Sequence, residues 1–182
     1  MAHICPWWGG YFIDNCFRRW LHDPEKIIGP YVKPGMTVMD IGCGMGLFSL
    51  AMASRVGEEG WVIAVDLQQK MLDVLRKRAE KAGVADRIQL HKCERNRLGI
   101  EEPVDFALAM MMIHEVPDQQ RLLREIRGCL KPGGKLLAAE PRLHVSGKAF
   151  GKTLAAAKEL GFRPTVEPRI HGCRAVVFEK QK

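Results

Sequence analysis

The sequence lacks any apolar run long enough to cross a bilayer. Its longest stretch without a charged side chain, residues 41–54, carries three glycines and falls short of the ~20 residues a membrane helix needs. It also lacks a secretory pattern. Pro6, Gly9 and Gly10 interrupt the first apolar stretch, and Arg18 and Arg19 follow that stretch instead of preceding it. The six cysteines are therefore expected to be reduced thiols in a cytoplasmic protein, not disulfide staples. No low-complexity tract and no internal repeat occurs. With 47% hydrophobic and 27% charged residues in 182, the chain has the composition of a folded domain and the length to bury one sizeable core. No basic stripe interleaved with aromatics is present either, as a base-stacking surface would require. The net charge of +7 is alone a weak footprint for nucleic acid. Arg76, Lys77 and Arg78 are consecutive and diverge around a helix, and only Arg121, Arg124 and Arg127 are spaced to share a face. A nucleic-acid acceptor is thus the lesser reading, and no membrane partner is expected.

What is present, from residue 37 onward, is an alternation of short apolar runs with amphipathic segments. The runs predict strands over 37–41, 61–65, 88–91, 104–109, 135–139, 162–168 and 175–179. Helices are predicted over 47–55, 68–82, 117–130 and 146–160. In the second of these Met71, Leu72, Leu75, Ala79 and Ala82 line one face. The last two strands are too close for a helical crossover and should be antiparallel. The pattern is that of an α/β fold, a doubly wound, mostly parallel sheet with helices on both faces. Residues 1–33 differ in character. They hold Trp7, Trp8, Tyr11, Phe12, Phe17, Trp20 and Tyr31, and read as an N-terminal cap segment ahead of a domain over 34–182, one domain overall. Tyr11 is the cap residue expected to reach a ligand.

The chemistry is concentrated after the first predicted strand. Gly42, Gly44 and Gly46 follow it directly and open a helix. Glycine allows positive φ and lets a ligand approach bare backbone. The spacing is G-x-G-x-G and not the G-x-G-x-x-G of a dinucleotide site, which argues against a dehydrogenase. Asp40 stands just before the turn, where a carboxylate suits a cationic group. Asp66 closes the second strand, at the point where an acid in such sheets accepts the hydroxyls of a ribose.

As a set, these stretches resemble the class I S-adenosylmethionine-dependent methyltransferases. Asp40-Ile-Gly-Cys-Gly-Met-Gly46 matches that family's first motif, and Val65-Asp66 its second. Residues 104–109 with 113–118 match the fourth strand and the loop after it, and 130–137 match the turn before the fifth strand. The resemblance implies a sheet order of 3-2-1-4-5-7-6 with the last strand antiparallel, and S-adenosylmethionine as cofactor. It assigns cofactor contacts to Asp40, Gly42, Cys43, Gly44, Gly46, Asp66, Leu67, Met71, Cys93, Glu94, Ala109 and Met110. One departure stands out. The family usually ends its third strand with an acid facing the adenine amino group, whereas here Cys93 and Glu94 occupy that region, with Glu94 the expected acceptor.

The implied reaction is in-line methyl transfer, in which the protein aligns the partners and excludes water. An oxygen or protonated nitrogen acceptor also needs a base. His114 and His144 are the candidate catalytic residues, among Glu115, Glu140 and Arg142 after the fourth and fifth strands. The Asn-Pro-Pro-Tyr signature of amino-nitrogen methylases is missing, and an apolar Met110-Met-Met-Ile113 stretch stands in its place. A small-molecule acceptor is the leading expectation. The alternatives are an RNA or protein acceptor, or a cofactor-binding accessory protein without activity. Finally, His-x-Cys recurs as His3/Cys5, His91/Cys93 and His171/Cys173. No resident metal is expected, but Cys5 and Cys173 are expected to converge at the acceptor pocket with His3, His171 or His144 nearby, a lining suited to a soft acceptor.

Overall fold

Short apolar runs bounded by tight turns, residues 37–41, 61–66 and 104–110, become strands buried along nearly their whole length, the pattern of a parallel sheet covered on both faces. In the computed structural model, which describes residues 22–181, seven strands form one sheet among the described residues. They are β1 (Thr37–Ile41), β2 (Trp61–Asp66), β3 (Ile88–Lys92), β4 (Val104–Met110), β5 (Leu130–Pro141), β6 (Phe162–Val166) and β7 (Cys173–Lys180). Their order is β3-β2-β1-β4-β5-β7-β6, and β7 runs antiparallel to both its neighbours. The flanking helices are α1 (Pro24–Ile28), α2 (Leu47–Val56), α3 (Gln69–Ala82), α4 (Gln119–Cys129) and α5 (Gly147–Glu159). None of the described helices is long and apolar enough to cross a membrane.

The described residues divide into two compact units, 22–93 and 94–181. In the first, β2 pairs in parallel with β1 and β3, and α3 turns Met71, Leu72, Leu75 and Ala79 inward, whereas Ala82, expected on the same face, is exposed at the last turn of the helix. The short α1 has a clear local cause that the strand and helix pattern above passes over. Asp23 caps it through a bond from Glu25 N, and Pro24 presets its first turn. Arg55, in the last turn of α2, binds the carbonyls of Gly29 and Val32 and pairs with Glu25. The described part of the expected N-terminal cap is therefore anchored at the end of α2 remote from the glycine turn, not over it.

In the second unit β4 and β5 are parallel and in register from Phe106↔Lys135 to Met110↔Ala139. The expected turn at residues 131–134 is taken up as an irregularity inside β5. Leu130 still pairs with Val104, and pairing resumes at Lys135. The helix expected from Pro117 begins instead at Gln119, because the Asp118 side chain accepts from Arg121 N at 2.9 Å and caps it. Ser146 caps α5 in the same way, accepting from Ala149 N at 3.1 Å. Glu140↔Arg174 and Pro141↔Cys173 stand opposite one another where β5 ends and β7 begins.

Candidate active site

In the unit 22–93, the glycine turn and Asp66 form one hydrogen-bonded structure. Gly42 N and Cys43 N both donate to Val65 O, at 2.8 and 3.0 Å, folding the turn over the end of β2. The Asp66 carboxylate then accepts from Gly44 N at 2.9 Å and from Gln68 N at 2.8 Å. Gly46, at φ 89°, caps α2. A Cβ there would lie 2.2 Å from Leu75 Cδ1, so the third glycine is required by the packing of α3. Gly44 differs. Its φ is 54° and no atom lies within 4 Å of where a Cβ would be, so its outer face is open to a ligand.

Asp66 is 8% exposed, and burial raises its pKa against the opposing pull of main-chain N–H groups. Leu67 N also bonds the carboxylate, which still keeps acceptor capacity to give. A buried carboxylate that is incompletely compensated calls for further neutral donors, and the two hydroxyls of a ribose meet that need. The donor set thus fits an adenosine-bearing cofactor. Asp40 is buried deeper, and one oxygen accepts the Ser49 hydroxyl at 2.5 Å. That partner, nine residues on and inside α2, carried no signal in the sequence. Cys43 is buried, its thiol pushed well up by burial and then by the charges of Asp40 and Asp66. Met71 is buried, Leu67 and Cys93 half-buried, and Cys93 N donates to Asp66 O at 3.1 Å.

In the unit 94–181, Glu94 is exposed and pairs through its main chain with Arg97. Ala109 and Met110 are buried at the end of β4. Met111 follows at φ 58°, its N–H on Ala139 O at 2.7 Å. This strained conformation in a residue without glycine's freedom had no sequence signal. The chain then makes a single turn in which Ile113 N donates to Glu140 Oε1 at 2.9 Å and the His114 Nδ1–H donates to Glu140 Oε2. Glu140 is 1% exposed. Its hydrogen bond is the largest cause of a raised His114 pKa, with burial opposing and the charges of Glu140 and Glu115 assisting. The His144 ring stands edge-on to that of His114, centroids 6.0 Å apart.

The structure thus brings His114 and His144 together, and adds Glu140 as the group that orients His114. A carboxylate accepting from Nδ1–H fixes the tautomer that leaves Nε2 free as a base. His171 is exposed in the β6–β7 turn, and Cys173 is buried at the first residue of β7. Tyr11, Cys5 and His3 lie outside the described residues. Among the described residues no group of three His, Cys, Asp or Glu side chains is arranged to hold a metal ion.

Comparison with known proteins bears on this geometry. Residues 32–165 match the family model described as a methyltransferase domain. A demethylmenaquinone methyltransferase of Bacillus cereus is 28% identical over 123 residues, which are 68% of this chain and 51% of that protein. The chain thus spans about half the length of the curated relatives it matches. Among solved structures, a SAM-dependent methyltransferase from Aquifex aeolicus superposes with a TM-score of 0.86 at 25% identity, over 97% of this chain and 99% of that one. A putative rRNA methylase from Clostridium thermocellum shares the fold at a TM-score of 0.66 and 22% identity, over 87% and 95%. With a glycine turn bound to a buried strand-end aspartate, this strand order and these matches, the chain belongs to the methyltransferase-domain family, the class I S-adenosylmethionine-dependent methyltransferases.

Proposed function

We propose that the chain moves a methyl group from S-adenosylmethionine to a small-molecule acceptor whose proton is taken by His114. The observation that carries this reading is the buried Glu140 holding His114 by Nδ1. The similarity to a demethylmenaquinone methyltransferase, an enzyme named for a small-molecule acceptor, supports it. When bound, the cofactor supplies an activated methyl on a sulfonium, with a neutral thioether as leaving group. Asp66 would hold the ribose hydroxyls, with Gly44 giving the backbone room to lie against the ligand. Met71 and Leu67 would supply apolar surface beside the adenosine, and Cys93 and Glu94 would lie beside the adenine.

His114 then has one task, to accept the acceptor's proton at Nε2 while Glu140 retains the hydrogen bond at Nδ1. The positive charge that develops on the imidazole is stabilised by Glu140, with which it forms an ion pair. Such a base contributes on the order of 10²–10⁴ in rate for an acceptor that arrives protonated, and little for one already deprotonated. His144 is positioned to pack against the His114 ring and limit its rotation.

The test is transfer of labelled methyl from S-adenosylmethionine to a panel of phenols, thiols, amines and metalloids, with bulk RNA and a mixed protein substrate alongside. Label in a small phenol, thiol or amine is the expected outcome. Label only in RNA or protein would overturn the small-molecule reading, and no label in any acceptor would favour an accessory protein without activity.

A further inference from the structure

Where β5 hands over to α5 and β6 to β7, two arginines cross between the loops. Arg142 donates its backbone N–H to Gly172 O at 2.8 Å and its Nε to Cys173 O at 2.9 Å. Arg174, opposite Glu140 in the ladder, donates Nη1 to Val145 O at 2.8 Å and to Arg142 O at 3.4 Å. The two side chains clasp the loops reciprocally, and each does so through carbonyl oxygens. Glu140 makes no ion pair with Arg174, and its oxygens accept from Ile113 N and His114 instead. No carboxylate among the described residues forms an ion pair with Arg142 or Arg174, although eight other pairs are made there.

The clasp consumes only part of each guanidinium. Arg142 keeps both terminal nitrogens. Arg174 keeps Nε and Nη2, which lie against Gly147 at the first turn of α5, 3.7 and 3.9 Å from where a Cβ would be. A helix start is itself a partial positive charge, so Arg174 is held where like charge meets like charge. Lys148 in the first turn of α5 and Arg169 in the loop between β6 and β7 add further positive charge, and Glu167 is the one carboxylate that residues 167–174 contribute. Fixed positive charge in excess, with forked donors left over, is the recognition pattern for a planar or tetrahedral oxyanion. Because β5 also carries Glu140, the partner of His114, this patch and the proposed base share one strand end.

We infer that the methyl acceptor carries an oxyanionic group, a carboxylate or a phosphate, bound by the Arg142–Arg174 clasp while its nucleophile is presented to His114. The inference rests on the methyl-transfer reading and extends it to the substrate's charge. Specificity follows from it: a neutral analogue with the same nucleophile leaves the two guanidiniums unpaired and binds less well.

The experiment uses the full chain labelled with ¹⁵N-arginine, observed at the arginine Nε–H resonances during titration with benzoate, phenyl phosphate and the neutral benzyl alcohol. The Arg142 and Arg174 signals, assigned from R142Q and R174Q, are expected to move saturably with at least one of the two anions and with benzyl alcohol not at all. The anion that binds more tightly tells a carboxylate acceptor from a phosphate one. Each Gln variant, with its melting temperature checked against the parent, should weaken that anion at least tenfold. Equal response to benzyl alcohol, or anion affinity unchanged in both variants, overturns the inference. Calorimetry with S-adenosylhomocysteine on the same sample keeps the two levels apart. Binding of that nucleoside without anion binding removes only the oxyanion inference, whereas its failure to bind removes the methyl-transfer reading beneath it.

Discussion

His114 and Glu140 give the most specific chemical expectation, because each has one evident job. The carboxylate is buried and bonded on both oxygens, and its contact raises the histidine pKa above the ordinary value of about 6.5. A histidine raised by folding stabilises the protein most below its unfolded value, and that contribution disappears as pH rises through the folded value. The melting-temperature advantage of the parent over His114→Gln should therefore be full below about pH 6.5 and shrink at higher pH. A difference that stays constant from acid to alkaline pH would show that the pair contributes no linked stability. Turnover should respond in the opposite sense, rising with pH as Nε2 loses its proton. Glu140→Gln is expected to cost on the order of 10²–10⁴ in kcat on a protonated acceptor, since the amide N–H would donate to Nδ1 and force the proton onto Nε2. Loss of affinity with kcat unchanged would instead give Glu140 a structural role only. The sequence named both histidines, and Glu140 among several acids. It did not reveal their pairing, because a contact between a short turn and the end of a strand 26 residues away leaves no periodic trace. Met111 was invisible for a different reason: its positive φ goes with a hydrogen bond from its N–H to Ala139 O, not with a residue type that favours it.

Secondary structure was legible wherever burial and capping act locally. β1 was expected at the residues where it lies, 37–41, because a glycine turn and a polar start bound an apolar run. The departures come from neighbours that the local pattern does not contain. Asp118 moved the start of α4 by taking the cap, and β5 absorbed residues 131–134 because β4 continues to pair across the irregularity. The glycine turn joins both levels, since Gly46 is demanded by its own φ and by Leu75 of α3. Gly46→Ala is expected to destabilise the fold by roughly 2–5 kcal/mol, combining left-handed strain with overpacking. Adding Leu75→Ala should relieve the overpacking and leave the strain, so the double variant should lose less than the sum of the single changes. Strict additivity in chemical denaturation would mean that α3 does not press on the turn.

The sheet order was expected from a resemblance carried by four short stretches, and the strands take that order. Within one unit the glycine turn is bonded to Asp66, and within the other His114 is bonded to Glu140. The acceptor was less legible, since composition and charge speak to the whole surface while the arginine clasp depends on which loops the topology makes neighbours. The central claim is that Asp66 and the glycine turn hold S-adenosylmethionine. Calorimetry of S-adenosylmethionine with the parent chain and with Asp66→Ala, each verified as folded by circular dichroism, tests it most directly. The account predicts binding by the parent and a loss of about 1.5–3 kcal/mol for each hydroxyl contact removed in the variant, at least a tenfold weakening. Equal affinity in the two proteins, or no binding by the parent, would contradict it.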